Sequence, residues 1–189
     1  MTADYEFVTQ WRVIATPAEV KAVLSDGLSL PRWWPAVYIS VTRLEDGAEN
    51  GVGGSLALHT KGWLPYTLRW TLRVVEPITD AGYALTATGD LVGTGRWTFR
   101  QDGPNVVIRY EWRVRASTQL LRRLTWLLRP AFAANHRWAM ARGEESLRLE
   151  LRRRRAVNEG ERRRVPAPPA MTFRWLTPRS GSRRSRAGV

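Results

Sequence analysis

His136, Tyr66 and Tyr110 are the side chains whose types and positions suit proton chemistry. His136 shares one face of a predicted long C-terminal helix with Phe132 and Met140. A buried imidazole or a phenol can polarise a bound carbonyl by donating a hydrogen bond or a proton. These three residues are therefore candidate catalytic groups. The alternative for His136 is a structural hydrogen bond to a strand carbonyl.

Aromatic side chains are concentrated on one parity of the predicted strands, together with a few hydroxyl groups. This pattern suits a site that holds an apolar ligand and orients it by a few polar contacts, although the same rings could fill a solid core. Trp33 or Trp34, in the loop before the second strand, is a candidate lid residue or a packing residue. The candidate ligand-binding residues are Trp11, Trp34, Trp70, Trp97, Phe99, Trp112, Asn135 and Met140.

The residue inventory excludes several kinds of chemistry. The chain has no Cys and two His, which excludes disulfides, thiolate metal sites and cysteine nucleophiles. The segment Gly51-Val52-Gly53-Gly54 is followed by neither a helix nor a Gly-Lys-Ser or Gly-Lys-Thr sequence, which favours a hairpin turn over a phosphate loop. Ser55 lies outside any G-x-S-x-G elbow, and the carboxylates form no evident pair. We expect no metal and no cofactor, and we expect His59 to face solvent or a cavity rim.

Alternating hydrophobicity predicts seven strands. Residues 66–74 and 106–114 place aromatic side chains on one face and charged ones on the other, which is typical of an antiparallel sheet with one solvated face. Gly- and Asp-containing turns between the strands favour hairpins. The predicted strands are Tyr5–Ala15, Val37–Leu44, Ser55–Thr60, Tyr66–Val75, Tyr83–Thr88, Arg96–Arg100 and Val106–Arg115.

Helical signals flank these strands. Thr16-Pro17-Ala18-Glu19 has a Thr N-cap, Pro at the first helical position and Glu at the third, which predicts a short helix ending near Asp26-Gly27. A helical period begins at Thr118, with a break or kink at Pro130 and a longer helix over Ala131–Arg155. The predicted fold class is α+β: a curved seven-stranded antiparallel sheet wrapped around a long C-terminal helix, with two short helices after the first strand.

Positive charge is concentrated at the C-terminus. The chain carries a net charge of +13, and residues 152–189 hold 12 Arg and 2 Glu. Such a run favours phosphate-rich partners, either nucleic acid or anionic lipid, or is simply solvated. Composition predicts a disordered Arg/Pro/Ser-rich tail over 156–189, in which Phe173-Arg174-Trp175-Leu176 is apolar enough to dock on another surface.

Two segments carry a family resemblance. Leu30-Pro31-Arg32-Trp33-Trp34-Pro35-Ala36-Val37 and the helix from Asn135 to Leu147, in this order of elements, resemble the polyketide cyclase/dehydrase branch of the START-like helix-grip (SRPBCC) superfamily. The resemblance covers roughly residues 3–155 and implies a domain over 1–155. It also implies a cavity between sheet and helix that binds hydrophobic molecules or lipids, and in some members cyclises or dehydrates polyketide chains.

Three functions follow, in order of support. The first is binding of a hydrophobic small molecule, polyketide-like or lipid, in that cavity. The second is a metal-free cyclase or dehydratase acting on a chain held there. The third is association of the basic tail with nucleic acid or an anionic membrane. No apolar run approaches the roughly 18 to 20 residues that cross a bilayer, so we expect a cytoplasmic protein.

Overall fold

A computed structural model describes residues 5–116 and 119–172, with only the backbone described for residue 116 and residues 119–129. It contains seven strands, three short helices, a 3-10 turn at Gly27–Ser29 and one long helix. The elements are β1 Tyr5–Ile14, α1 Pro17–Leu24, α2 Leu30–Trp33, β2 Tyr38–Glu45, β3 Ser55–Lys61, β4 Thr67–Val74, β5 Gly82–Gly89, β6 Leu91–Asp102, β7 Asn105–Ala116, α3 Gln119–Arg155 and α4 Glu159–Arg164.

The strands form one antiparallel sheet in the order β1-β7-β6-β5-β4-β3-β2. Hairpins join each consecutive pair from β2 to β7, and β1 closes the other edge by pairing with β7 along its whole length. The sheet curves around α3, so one face packs on the helix and the other faces solvent. The predicted fold class is confirmed.

Strand β6 begins earlier than the sequence predicts. It starts at Leu91 instead of Arg96 and pairs with β7 from its first residue. Gly93 and Gly95 look like a loop in the sequence, but here they allow close approach of the neighbouring strand. A Cβ atom at Gly93 would overlap the carbonyl oxygen of Arg113, so glycine is needed for this pairing.

The predicted start of α1 is confirmed by its capping box. The Thr16 side chain accepts a hydrogen bond from the Glu19 amide, while the Glu19 carboxylate accepts one from the Thr16 amide at 2.8 Å. Helix α1 buries Val20 and Val23, and the following short helix α2 buries Trp33. These two helices close one end of the space between sheet and α3.

Helix α3 runs without a break through Pro130, so of the break or kink predicted there the break is wrong. Proline removes only its own amide donor, so the other hydrogen bonds of the turn can keep the helix continuous. The described C-terminal half of the helix buries Met140, Leu147 and Leu151 against the sheet and the short helices.

The chain after α3 differs from the predicted disordered tail over residues 156–172. Asn158 caps α4 by accepting a hydrogen bond from the Glu161 amide at 2.9 Å. Arg153 donates to the carbonyl of Pro166 at 2.9 Å, and a proline-rich stretch then leads to Thr172 beside the β3–β4 connection. Phe173–Leu176 and the rest of the tail lie outside the described residues. In the described part of the chain, no helix is long and apolar enough to cross a membrane.

Candidate functional site

The helix-facing side of the sheet is built from rows of paired residues across neighbouring strands. Because side chains alternate along each strand, residues in register on β5, β6, β7 and β1 point to the same face. One row is Tyr83, Trp97, Tyr110 and Thr9, and the next is Leu85, Gly95, Trp112 and Phe7. The rings pack closely, since Tyr110 stacks on Trp97 with a centroid distance of 4.0 Å.

A cavity of about 210 Å³ lies between these rows and residues 132–140 of α3. Most of its lining is aromatic or aliphatic. The predicted site residues that line it are His136, Tyr110, Tyr66, Trp34, Trp70, Trp97, Trp112, Asn135 and Met140.

Trp11 and Phe99 were predicted as ligand-binding residues but do not line the cavity. They belong to the next row of the sheet, where both flank Ile108 and where α1 and α2 close the space. The Trp11 ring lies 5.6 Å from that of Trp34 and 5.4 Å from that of Trp97, so it supports the lining from behind. Strand parity identified the correct face, but it carries no information on where along the strand the cavity ends.

Trp34, not Trp33, is the tryptophan of the Trp-Trp-Pro loop that faces the cavity. Trp33 is fully buried in the core, while Trp34 lines the cavity and contacts Tyr38 edge-on at 5.3 Å. Gly143 on α3 lies directly under the Trp34 ring, and a Cβ atom there would overlap it. The glycine therefore lets the helix approach the loop closely.

His136 packs against β1 through contacts with Phe7 and Thr9. Its ring stacks on Phe7 with centroids 4.1 Å apart, and its Nε2 lies 3.4 Å from the Thr9 hydroxyl, so the strand partner is a side chain instead of the predicted carbonyl. Burial, with a smaller contribution from Arg137, lowers the pKa of His136 to about 4. The imidazole is therefore neutral near pH 7 and suits a role as hydrogen-bond partner.

Tyr66 and Tyr110 are protonated at neutral pH. Burial, with a smaller effect of Tyr5, raises the pKa of Tyr66 to about 12, and burial raises the pKa of Tyr110 well above its ordinary value. A neutral phenol in an apolar cavity can donate a hydrogen bond to a ligand oxygen. Tyr66 directly precedes β4 and Tyr110 lies on β7, so the two side chains reach the cavity from different parts of the sheet.

Asn135 positions the β3–β4 connection. Its Oδ1 accepts hydrogen bonds from the amides of Trp63 at 2.8 Å and Leu64 at 3.3 Å. Gly62 lies so close that a Cβ atom would overlap the amide group. Asn135 thus lines the cavity, but its side-chain oxygen is already used to anchor a loop.

Lys61 is a cavity residue that sequence reasoning missed. Its side chain is 4% exposed, and its Nζ donates to the carbonyl of Thr172 in the C-terminal segment. Burial lowers the pKa of its ammonium group. Lys61 and His59 are two residues apart on β3, so alternation predicts that both side chains lie on the outer face of the sheet. His59 does lie on that face, half-buried beside Arg69, whereas Lys61 at the strand end turns inward.

Thr60 and Tyr38 also line the cavity and were not predicted. Thr60 accepts a hydrogen bond at 3.0 Å from the indole nitrogen of Trp70, which fixes that ring. Tyr38 is the first residue of β2 and follows the loop that carries Trp34. The alternation of inward and outward side chains along β2 and β3 was the sequence signal that could have identified Tyr38 and Thr60. Among the described residues, no group of three His, Asp or Glu side chains could hold a metal ion.

The curved sheet, the gripped helix and the cavity between them define a START-like helix-grip protein. The chain belongs to the polyketide cyclase / dehydrase and lipid transport family, whose sequence model matches residues 5–151. The resemblance seen in the sequence is thereby confirmed. Comparison with curated protein sequences finds no significant match.

Solved structures share the fold at low sequence identity. Zhui aromatase/cyclase from Streptomyces sp. R1128 is 19% identical with a TM-score of 0.58, covering 82% of this chain and 98% of that one. TTHA0849 from Thermus thermophilus is 18% identical with a TM-score of 0.58, covering 78% and 94%. A START superfamily protein from Mycobacterium smegmatis is 16% identical with a TM-score of 0.50, covering 72% and 98%. At these identities the similarity shows the fold alone.

Proposed function

We propose that this protein binds a small hydrophobic molecule in the cavity between the sheet and α3. The observation that carries the proposal is the lining itself, in which tryptophan and aliphatic side chains surround a few polar groups such as Tyr66, Tyr110 and His136. Cavities of this composition suit apolar ligands that are oriented by a few hydrogen bonds.

The size of the cavity limits the ligand. Its volume of about 210 Å³ is below the roughly 300 to 1,000 Å³ typical of pockets for drug-sized molecules. A ligand of about two fused rings is therefore favoured over a long folded chain. Trp34, Trp70, Trp97, Trp112 and Met140 would contact its apolar surface. Because of this size limit, we rank binding of a small molecule above cyclisation of a long chain as the proposed function.

Fluorescence titration of the full chain with N-phenyl-1-naphthylamine tests the proposal. This dye is neutral and apolar, and its emission rises on transfer from water to an apolar site. The variant Ala139→Trp places a large ring in the cavity from α3 and should weaken dye binding at least about tenfold, or about 1.4 kcal/mol. The matched control Ala141→Trp adds the same ring at an exposed position two residues further on. Equal dye binding by the two variants would reject the cavity as the site.

Cyclisation with loss of water is the second candidate function, and the family description favours it. In this role Tyr66 or Tyr110 would donate a hydrogen bond to a ligand carbonyl, while neutral His136 would accept a proton from the carbon that attacks it. Heptane-2,6-dione is a suitable small probe because intramolecular aldol condensation converts it to 3-methylcyclohex-2-enone and one water. An enzyme would accelerate appearance of the enone, and His136→Phe would remove the acceleration. A pure carrier would leave the background rate unchanged.

A further inference from the structure

Three tyrosines meet at the inner end of the cavity, which we define as the end next to α1 and α2. Tyr83 and Tyr110 lie on either side of Trp97 in one row of the sheet. Tyr38 enters from β2, on the other side of the cavity, beside Trp34. All three side chains line the cavity.

The three hydroxyl groups differ in their hydrogen bonds. The Tyr83 hydroxyl donates to the backbone carbonyl of Leu24 at 3.0 Å, which ties β5 to α1. The hydroxyls of Tyr38 and Tyr110 make no hydrogen bond with any residue that the structure describes. A polar group in apolar surroundings is costly without a partner. These two hydroxyls are therefore suited to a partner that enters the cavity.

Gly95 gives the Tyr110 hydroxyl its space. A Cβ atom at Gly95 would lie 2.7 Å from Tyr110 Oη and 2.9 Å from the Trp112 ring. The position of the hydroxyl is set by ring packing, because Tyr110 stacks on Trp97. Gly95 thus leaves a notch in the sheet in which the hydroxyl is exposed to the cavity.

Both phenols are neutral donors. Burial raises the pKa of Tyr38 and of Tyr110, and their proximity to each other adds to the effect on Tyr110. A neutral donor pair between aromatic rings suits a neutral acceptor, since the ammonium group of Lys61, the cation in the described lining of the cavity, already donates to the carbonyl of Thr172. The flat tryptophan surfaces nearby suit a planar ligand.

We propose that Tyr38 and Tyr110 form a hydrogen-bond donor subsite at the inner end of the cavity, which binds the carbonyl oxygen of a small planar ketone. This inference rests on the proposed function and adds the chemical class of the ligand. The Gly95 notch makes the subsite possible, and Tyr83 holds the neighbouring wall in place.

A matched pair of probes tests the subsite. 2-Acetylnaphthalene and 2-ethylnaphthalene have nearly the same shape, but only the first carries a carbonyl oxygen. The full chain should bind the ketone about five- to tenfold more tightly, as measured by competition with N-phenyl-1-naphthylamine. Tyr38→Phe and Tyr110→Phe should each reduce this preference several-fold while leaving 2-ethylnaphthalene affinity nearly constant. Thr98→Val, which removes an exposed hydroxyl from the outer face of β6, should keep the full preference.

Infrared spectroscopy of the bound ketone tests the hydrogen bond to its carbonyl directly, independently of the binding affinity. The carbonyl stretch of bound 2-acetylnaphthalene should lie at lower wavenumber in the wild type than in Tyr110→Phe, because a donated hydrogen bond weakens the C=O bond. Gly95→Ala should shift it in the same direction as Tyr110→Phe by displacing the hydroxyl. Equal affinity for the two probes in the wild type, or an unchanged preference in both Phe variants, would overturn the subsite. Failure of both probes to bind would overturn the proposed function as well.

Discussion

The two halves of the described part of α3 differ in whether the buried polar groups beside them have hydrogen-bond partners. Around residues 132–140 the helix faces a cavity in which the hydroxyls of Tyr38 and Tyr110 have no partner among the described residues. Near its end, Glu150 is 1% exposed and accepts hydrogen bonds from Arg32 at 2.7 and 2.9 Å and from Arg154 at 2.9 Å. A fully partnered buried group stabilises one structure, whereas an unpartnered one is suited to binding.

The same comparison changes the interpretation of the arginine run. Arg152–Arg155 was predicted to favour phosphate-rich partners, yet three of the four are used inside the chain. Arg153 and Arg154 pair with Glu150, and Arg155 pairs with Glu19 at 2.7 Å, next to the capping box of α1. The pairs with Glu150 lie within α3, and the Arg155–Glu19 pair joins the end of α3 to α1. Arg152, the exposed arginines at 162–164 and the arginines beyond residue 172 remain as the basis for tail-mediated contact with nucleic acid or anionic lipid.

Breaking the Glu150 cluster should give the largest effect. Glu150→Ala would leave Arg32, Arg153 and Arg154 without their shared carboxylate. It should lower the free energy of unfolding by about 2–4 kcal/mol, at or below the range for a fully buried pair because the arginines are partly exposed. Urea titration measures this loss. Glu145→Ala, which breaks one exposed pair with Arg142, should cost less than about 1 kcal/mol. Equal losses would show that the Glu150 cluster is no more stabilising than a surface pair.

Two cavity tyrosines allow the same comparison between a partnered and an unpartnered polar group, with a smaller expected change in stability. Tyr83→Phe removes a hydrogen bond to Leu24 and should lower the free energy of unfolding by about 1 kcal/mol. Tyr110→Phe removes a hydroxyl with no described partner and should leave stability of the ligand-free chain unchanged or slightly higher. Urea titration of the two variants in parallel separates the roles. A clear loss in Tyr110→Phe would contradict a hydroxyl reserved for the ligand.

Acid should affect the two regions in separate pH ranges. The pKa of His136 is lowered to about 4, so the unfolded chain takes up a proton below about 6.5 while the folded chain does not. The stabilisation from neutral His136 is complete above pH 6.5 and is lost as pH falls towards 4. For Glu150, burial acts to raise the pKa, but hydrogen bonds from Arg32 and Arg154 outweigh it and lower the pKa below 4.5. Its contribution is therefore lost at lower pH.

Unfolding free energies measured at a series of pH values test this order. His136→Phe should flatten the slope between pH 6.5 and 4, and Glu150→Gln should flatten it below about pH 4.5. His59→Gln, on the outer face, should keep the larger part of the slope above pH 4. The order would be wrong if His136→Phe left the upper slope unchanged.

Removal of residues 173–189 should have the smallest effect on the folded domain. A chain ending at Thr172 retains the hydrogen bonds of Thr172 with Lys61 and Gly62, and we expect it to keep its stability and its affinity for N-phenyl-1-naphthylamine. Binding to DNA or to vesicles of anionic lipid should fall if the tail is responsible. Salt-sensitive binding that survives the truncation would assign it to residues 1–172, which include the exposed arginines of α4.

Local patterns predicted most of the fold, and contacts distant in sequence account for what they missed. Alternation placed all seven strands, and the Thr16 to Glu19 pattern predicted a capping box. Gly93 and Gly95 were read as a loop because the close approach of β7 cannot be seen from one strand. The pairing of Arg32 with Glu150 spans 118 residues, so spacing could not reveal it. Lys61 lies beyond the predicted end of the third strand, and its turn into the cavity depends on tertiary contacts at the end of β3.

Native mass spectrometry with added 2-acetylnaphthalene tests the central claim most directly. The full chain should carry one molecule of the ketone, lost on denaturation, while Ala139→Trp carries none and Ala141→Trp carries one. No bound molecule on the wild-type chain, or equal occupancy in all three proteins, would contradict a ligand cavity between the sheet and α3.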